Sequence, residues 1–265
     1  MKARAATIRR TPLPVGGLAV LAVVLLMLPL VGLVAKAPWS RLPAQLSSGG
    51  ALDALRLSMI TSTASVVLCL LFGVPLAWVL ARSRFRGRSL LRSLVTLPLV
   101  LPPVVGGVAL LLAFGRAGLL GGALSAAGIR LPFSTAGVVL AETFVALPFL
   151  VLSVEGALAA LDERYEQVAA TLGARPWAVF RRVTLPIAGP ALAAGAALSW
   201  ARALGEFGAT ITFAGNLPGT TQTLPLYVYL QLQTDPDAAV AMSLVLLVVS
   251  VAVLIGLRGR WAVRR

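Results

Sequence analysis

Six long apolar runs constrain this 265-residue chain more than any other feature. They are Leu13–Ala35, Leu57–Ala81, Ser93–Gly115, Leu131–Val154, Val183–Gly205 and Ala238–Leu257. Each is close to or above the roughly 20 residues a helix needs to cross a bilayer. Four carry no charge, Leu131–Val154 contains only Glu142, and Val183–Gly205 contains only Arg202. Water could not solvate such a chain: 58% of its residues are hydrophobic, whereas soluble domains have about 45–50%. The expected fold class is all-α, a polytopic membrane protein with about six transmembrane helices, because a helix satisfies its own backbone in lipid.

The charges between the runs assign sides. The net charge is +14, with 23 Lys and Arg against 9 Asp and Glu. With the N-terminus inside, the inner segments hold 17 basic residues and the outer segments 5. The positive-inside rule then predicts six spans with both termini cytoplasmic. This topological use of arginine removes the alternative in which a basic chain binds nucleic acid. The first run, preceded by basic residues and followed by Ala35-Lys36-Ala37, also resembles a cleavable signal peptide. Its length of about 23 residues exceeds the usual 7–15 apolar core and favours an uncleaved helix.

Several chemistries are excluded by what the sequence lacks. It has no histidine, and its one cysteine, Cys69, lies inside an apolar run. A Ser-His-Asp site, a His-bearing zinc site and an intrachain disulfide are all excluded, and Cys69 is expected to be a small buried hydrophobe. There is no Gly-x4-Gly-Lys-Ser/Thr phosphate loop, and Lys36 is the only lysine after the first span begins. The chain has no nucleotide site of its own by that motif. Pro102, Pro103, Gly106, Gly107, Pro148, Gly189, Pro190 and Gly195 interrupt or thin the spans. Such breaks are tolerated where neighbouring helices or a watery cavity satisfy the backbone.

The segment Glu155–Pro186 is the longest connection on the predicted inner side and reads as two short helices. Tyr165, Val168, Ala169 and Leu172 fall at i, i+3, i+4 and i+7 and form one apolar stripe, with Glu163, Glu166, Gln167 and Thr171 opposite. Gly173 can end this helix and Pro176 can open the next. A short loop cannot bury such a stripe by itself. It must pack on its own membrane domain, lie at the lipid interface, or dock on a partner.

Gln167-Val168-Ala169, three residues, Gly173, nine residues and Val183-Thr184-Leu185-Pro186 resemble the loop motif of binding-protein-dependent ABC importer permeases. That motif reads Glu-Ala-Ala, three residues, Gly, nine residues, Ile-x-Leu-Pro. Here Gln replaces Glu, with Glu166 just before it, and Val replaces the first Ala and the Ile. The resemblance covers about residues 50–257 and implies a type I ABC importer permease fold. It also implies that Glu166, Gln167, Val168, Ala169, Gly173, Ala174, Pro176, Leu185 and Pro186 form the loop that couples to a separate ATPase. The implied organisation is residues 1–56 (cytoplasmic N-terminus, first helix and external loop), a permease core of five helices at 57–257 with its coupling loop at 155–186, and a basic tail at 258–265.

A second stretch, Arg202 to Phe213 followed by Gly219-Thr220-Thr221-Gln222-Thr223-Leu224-Pro225, resembles permeases for tetrahedral oxyanions, molybdate (or tungstate) more than sulfate. The resemblance implies an ATPase dimer carrying ATP and Mg, a periplasmic or lipid-anchored oxyanion-binding protein, a second permease copy, and a bacterial inner-membrane location. No cofactor is expected in this chain.

Arg202 and Glu206 are four apart and share a helix face, so they read as a structural ion pair or as a gate contact. Guanidinium donors match tetrahedral oxygens. Glu142 is mid-span, either protonated or paired with Arg202. With Thr210 and Thr212 these residues are the candidates for the pathway or gate. Asn216, Thr220, Thr221, Gln222 and Thr223 extend the polar set, though such residues more often satisfy loop backbone. A self-sufficient secondary transporter is the competing class, but no internal repeat supports it.

Overall fold

The computed structural model describes residues 13–262. The basic N-terminal residues 2–10 and Arg264 and Arg265 lie outside them. Four helices are long and apolar enough to span a bilayer: α1 (Leu13–Ala35), α3 (Gly49–Arg82), α7 (Thr135–Ala160) and α14 (Pro236–Ala262). Two bent pairs bring the total among the described residues to six where each pair is one span. α4 (Arg88–Val100) and α5 (Pro103–Phe114) meet at 118°, and the segment Pro176–Ile187 meets α11 (Gly189–Leu204) at 71°. The short helices α2 (Leu42–Leu46), α6 (Gly121–Ala126), α12 (Gly208–Phe213) and α13 (Leu224–Thr234) lie in stretches that hydropathy leaves as loops.

Two of the expected spans are broken at the prolines and glycines that interrupt them in the sequence. Ser93–Gly115 gives way at Leu101-Pro102-Pro103, where two successive residues lack an N–H and Pro102 is extended (φ −54°, ψ 132°). Val183–Gly205 breaks at Ala188, just before Gly189 and Pro190. α3 begins at Gly49 rather than Leu57, because Asp53 and Arg56 are accommodated in its first turns.

α7 is the axis of the bundle. α3 and α11 pack along it, and α12 packs on α5. Cys69, Ala77, Leu80, Ala146, Leu150 and Val154 form one apolar core, with Leu110, Ala141, Val145, Ala209 and Phe213 forming another. Small residues set these distances: a Cβ on Gly107 would lie 2.6 Å from Thr212 Cβ and 2.9 Å from the Ala209 carbonyl. In lipid, close backbone approach replaces the hydrophobic drive between helices. α1 touches mainly α14, and no residue of Pro14–Ala35 is buried.

At the end of the bundle opposite α8 (Arg164–Thr171), α2 is tied to the start of α14. Arg41 pairs with Asp237 at 3.0 Å, and the Gln45 amide donates to Asp235 at 3.2 Å.

Candidate functional site: the α7–α11 connection and the polar bundle interior

α7 continues through Glu155 to Ala160, so the connection is shorter than Glu155–Pro186. It contains α8, α9 (Pro176–Val179), a π-helical turn (Phe180–Thr184) and α10 (Leu185–Ile187). Glu155 is not a loop residue: it pairs with Arg92 and fastens α4 to α7. Gly173 ends α8 at φ +84°. Its N–H donates to the Ala170 carbonyl at 3.0 Å, and the Ala174 N–H donates to the Ala169 carbonyl at 3.1 Å. These are the two bonds of a Schellman cap, which needs a left-handed residue at this position. Pro176 then opens α9 as expected.

The orientation of α8 bears on where its apolar stripe can pack. Its carboxylate side faces the bundle and its apolar stripe faces out. Tyr165 is 58% exposed, Val168 57% and Leu172 83%, and Trp177 on α9 is 70% exposed. Glu166 is turned inward, where Arg82 Nε lies 3.3 Å from one carboxylate oxygen and the Thr184 hydroxyl donates to the other at 2.7 Å. Arg82 Nη1 is also 3.4 Å from Glu163. Gln167, Ala170, Ala174 and Pro176 line a cavity of about 360 Å³ with Trp78, Arg82 and Thr184. Leu185 and Pro186 stand at the exit, where the chain turns towards α11. Arg82 and Trp78 were not foreseen as site residues, because nothing local in the sequence marks contacts that span 81 residues or more.

Deep in the bundle a second polar group forms. Glu142 is almost fully buried, and Thr61 donates to one of its oxygens at 2.8 Å, while the other has no partner. No cation lies within ion-pair distance among the described residues, so the Glu142–Arg202 pairing does not form. Arg202 instead pairs with Glu206 at 2.5 Å. The two are not on one continuous helix: α11 ends at Leu204, and Glu206 sits in the break before α12, where it also accepts the Ala209 N–H at 2.8 Å. Arg202 keeps 27% of its side chain exposed, while Glu206 is buried.

The hydroxyls divide in role. Thr212 donates to the Gly208 carbonyl, and Thr221 accepts the Leu217 N–H. Thr210 and Thr223 are buried without a hydrogen-bond partner, as are Asn216 Oδ1 and Gln222 Nε2. The group is a desolvated, hydrogen-bonding interior with oxygens to spare. Such a group is costly in a membrane protein and is usually placed where a polar species passes.

Known proteins resemble this chain in sequence and shape. Residues 73–263 match the family described as Binding-protein-dependent transport system inner membrane component. The molybdenum transport system permease protein ModB of Mycobacterium tuberculosis is 56% identical over 210 residues, 79% of this chain and 80% of that one. ModB of Escherichia coli is 47% identical over 65% of this chain and 76% of its own. The sulfate transport system permease protein CysW of Synechococcus elongatus is 43% identical over 66% of this chain and 62% of its own. Among solved structures, a bacterial ABC transporter that imports alginate aligns with a TM-score of 0.71 at 19% identity, over 93% of this chain and 94% of that one. The MetNI methionine ABC transporter aligns at 0.59 and 20%, over 82% and 95%. With its bent spans and a capped loop helix that turns its apolar stripe outward, the chain belongs to the inner-membrane components of binding-protein-dependent transport systems.

Proposed function

We propose that this chain is the pathway-forming permease of an ATP-driven importer for a tetrahedral oxyanion, with molybdate as the substrate. The observation that carries the reading is the outward apolar stripe of α8, with Trp177 beside it. Exposed leucine and tyrosine on a rigid, capped helix make a docking surface when the polar side of that helix is already occupied. The occupant is a separate ATPase subunit, which carries ATP and Mg and supplies the energy that this chain has no nucleotide loop to supply. The positive-inside pattern supports placing α8 and both termini in the cytoplasm.

Molybdate is favoured over sulfate because ModB of Mycobacterium tuberculosis matches at 56% identity over 79% of this chain, against 43% over 66% for CysW of Synechococcus elongatus. Six spans enclose only part of a pathway, so a second copy of the chain completes it, and a periplasmic or lipid-anchored binding protein delivers the anion. Arg202, at the edge of the buried group, is the natural contact for a tetrahedral oxygen. Glu206, Glu142, Thr210 and Thr212 shape the interior behind it.

The test is reconstitution in liposomes with the ATPase and binding protein of a molybdate importer. Molybdate uptake should require ATP and the ATPase subunit. Uptake by this chain alone on an ion gradient would replace the reading with a secondary transporter.

A further inference from the structure

α3 presents two side chains one turn apart, Trp78 and Arg82, and each holds a different part of the α7–α11 connection. Trp78 packs edge-on against Phe180 of the π turn, with ring centroids 6.1 Å apart. Phe180 is in turn stacked on Trp177 at 5.5 Å. The Arg82 side chain is 9% exposed and reaches Glu163, Glu166 and the Leu161 carbonyl. Thr184 closes the ring through Glu166. The connection is thus joined to α3 at both of its halves, although α3 is not contiguous with it in the chain.

We propose that Trp78 and Arg82 are positioning residues that pass movement of the connection to α3. The inference rests on the reading of α8 as the ATPase-docking element. α7 and α11 are covalently continuous with the connection and would follow its movement in any case. α3 needs a link that resists sliding. Its apolar packing on α7 is non-directional. A guanidinium fork held by carboxylates and a carbonyl cannot shift without breaking charge-assisted bonds, and a shielded charge left without its partner is costly. The cavity of about 360 Å³ between α3, α8 and α9 leaves room for the connection to close on α3 without displacing packed side chains.

Movement of α3 reaches the buried polar group directly. Thr61 on α3 donates to Glu142, and Ser58 on α3 accepts the Leu224 N–H at 2.7 Å. α3 therefore touches the docking connection at one end and both Glu142 and the start of α13 nearer the other.

The experiment uses the reconstituted transporter and reads three quantities: copurification of the ATPase, ATP hydrolysis, and molybdate uptake per ATP hydrolysed. Arg82→Ala should keep the ATPase bound and hydrolysing while uptake per ATP falls about tenfold, the scale of substitutions along a coupling route. Arg82→Lys, which keeps the charge but not the fork, should be intermediate. Trp78→Leu should reproduce the loss and serves as the second variant if Arg82→Ala fails to insert. An unchanged uptake-to-hydrolysis ratio in both variants overturns the proposal. So does a parallel fall in uptake and hydrolysis, which marks a merely structural role. Failure of the unaltered chain to retain the ATPase would instead overturn the docking reading itself.

Discussion

α1 and α8 expose large apolar side chains to a similar degree, yet the exposure means opposite things. α1 is 23 residues long, about 34 Å at 1.5 Å per residue, which matches a bilayer core, so lipid covers Leu18, Leu25 and Leu28. α8 has eight residues, with Glu163 before it and Arg175 after, and its inner side is held by Arg82. No lipid span can be built from it, and Tyr165, Val168 and Leu172 form the surface proposed above for the ATPase. Exposure becomes informative only once the solvent at that height is known.

The largest expected effect breaks the α8 side of this contrast. Gly173→Glu forces a side chain into a left-handed cap and places a charge beside Leu172. ATPase association should weaken at least about 30-fold, the scale of losing a hot spot, while membrane insertion is retained. Pull-down from fractionated membranes checks both, and normal copurification would remove the docking role.

Next comes the bundle interior, where neither lipid nor partner can relieve crowding. Gly107→Leu drives a side chain into Thr212 and the Ala209 backbone. It should destabilise the permease by about 2 kcal/mol, seen as a lower unfolding temperature in detergent.

A paired comparison sharpens the contrast further. Leu25→Ala and Leu172→Ala remove the same side chain at similarly exposed positions, 71% and 83%. Neither should change the stability of the isolated permease by more than about 0.5 kcal/mol. Only Leu172→Ala should weaken ATPase binding, by about tenfold. Equal behaviour in the binding assay would show that the α8 stripe is covered by lipid as α1 is.

The smallest effect lies at the opposite end of the bundle. The Asp235 carboxyl is held below its ordinary range, first by the Ala238 backbone N–H at 3.1 Å and then by the Gln45 amide. The folded state favours the ionised form. Its contribution is complete above the unfolded carboxylate range, near about pH 4, and is lost as pH falls through the lower folded value. The protection of amides in the first turn of α14, relative to their intrinsic exchange at each pH, should stay unchanged from neutral pH down to that range and fall only below it.

Much of this fold was legible from short-range properties. Hydropathy accounts for the spans, arginine placement for their predicted sides, and the Gly173 and Pro176 punctuation for the helix boundaries in the connection. The Gln167–Gly173–Pro186 spacing identified the connection itself, because a cap and a helical stripe are written within a dozen residues.

What hydropathy could not resolve was any break or partner set by packing. Pro102-Pro103 was visible, but neither the 118° angle nor the packing of α12 on α5 could be read from it. Arg202 and Glu206 were correctly adjacent, but Glu142 found Thr61 rather than Arg202. The sequence by itself determined that this chain lives in a membrane and carries one amphipathic connection, since burial preference is local and adds along the chain. Only the tertiary structure decided which side of that connection faces out. That choice turns on Arg82 reaching Glu166 across 84 residues, a charge pairing that no window along the chain contains.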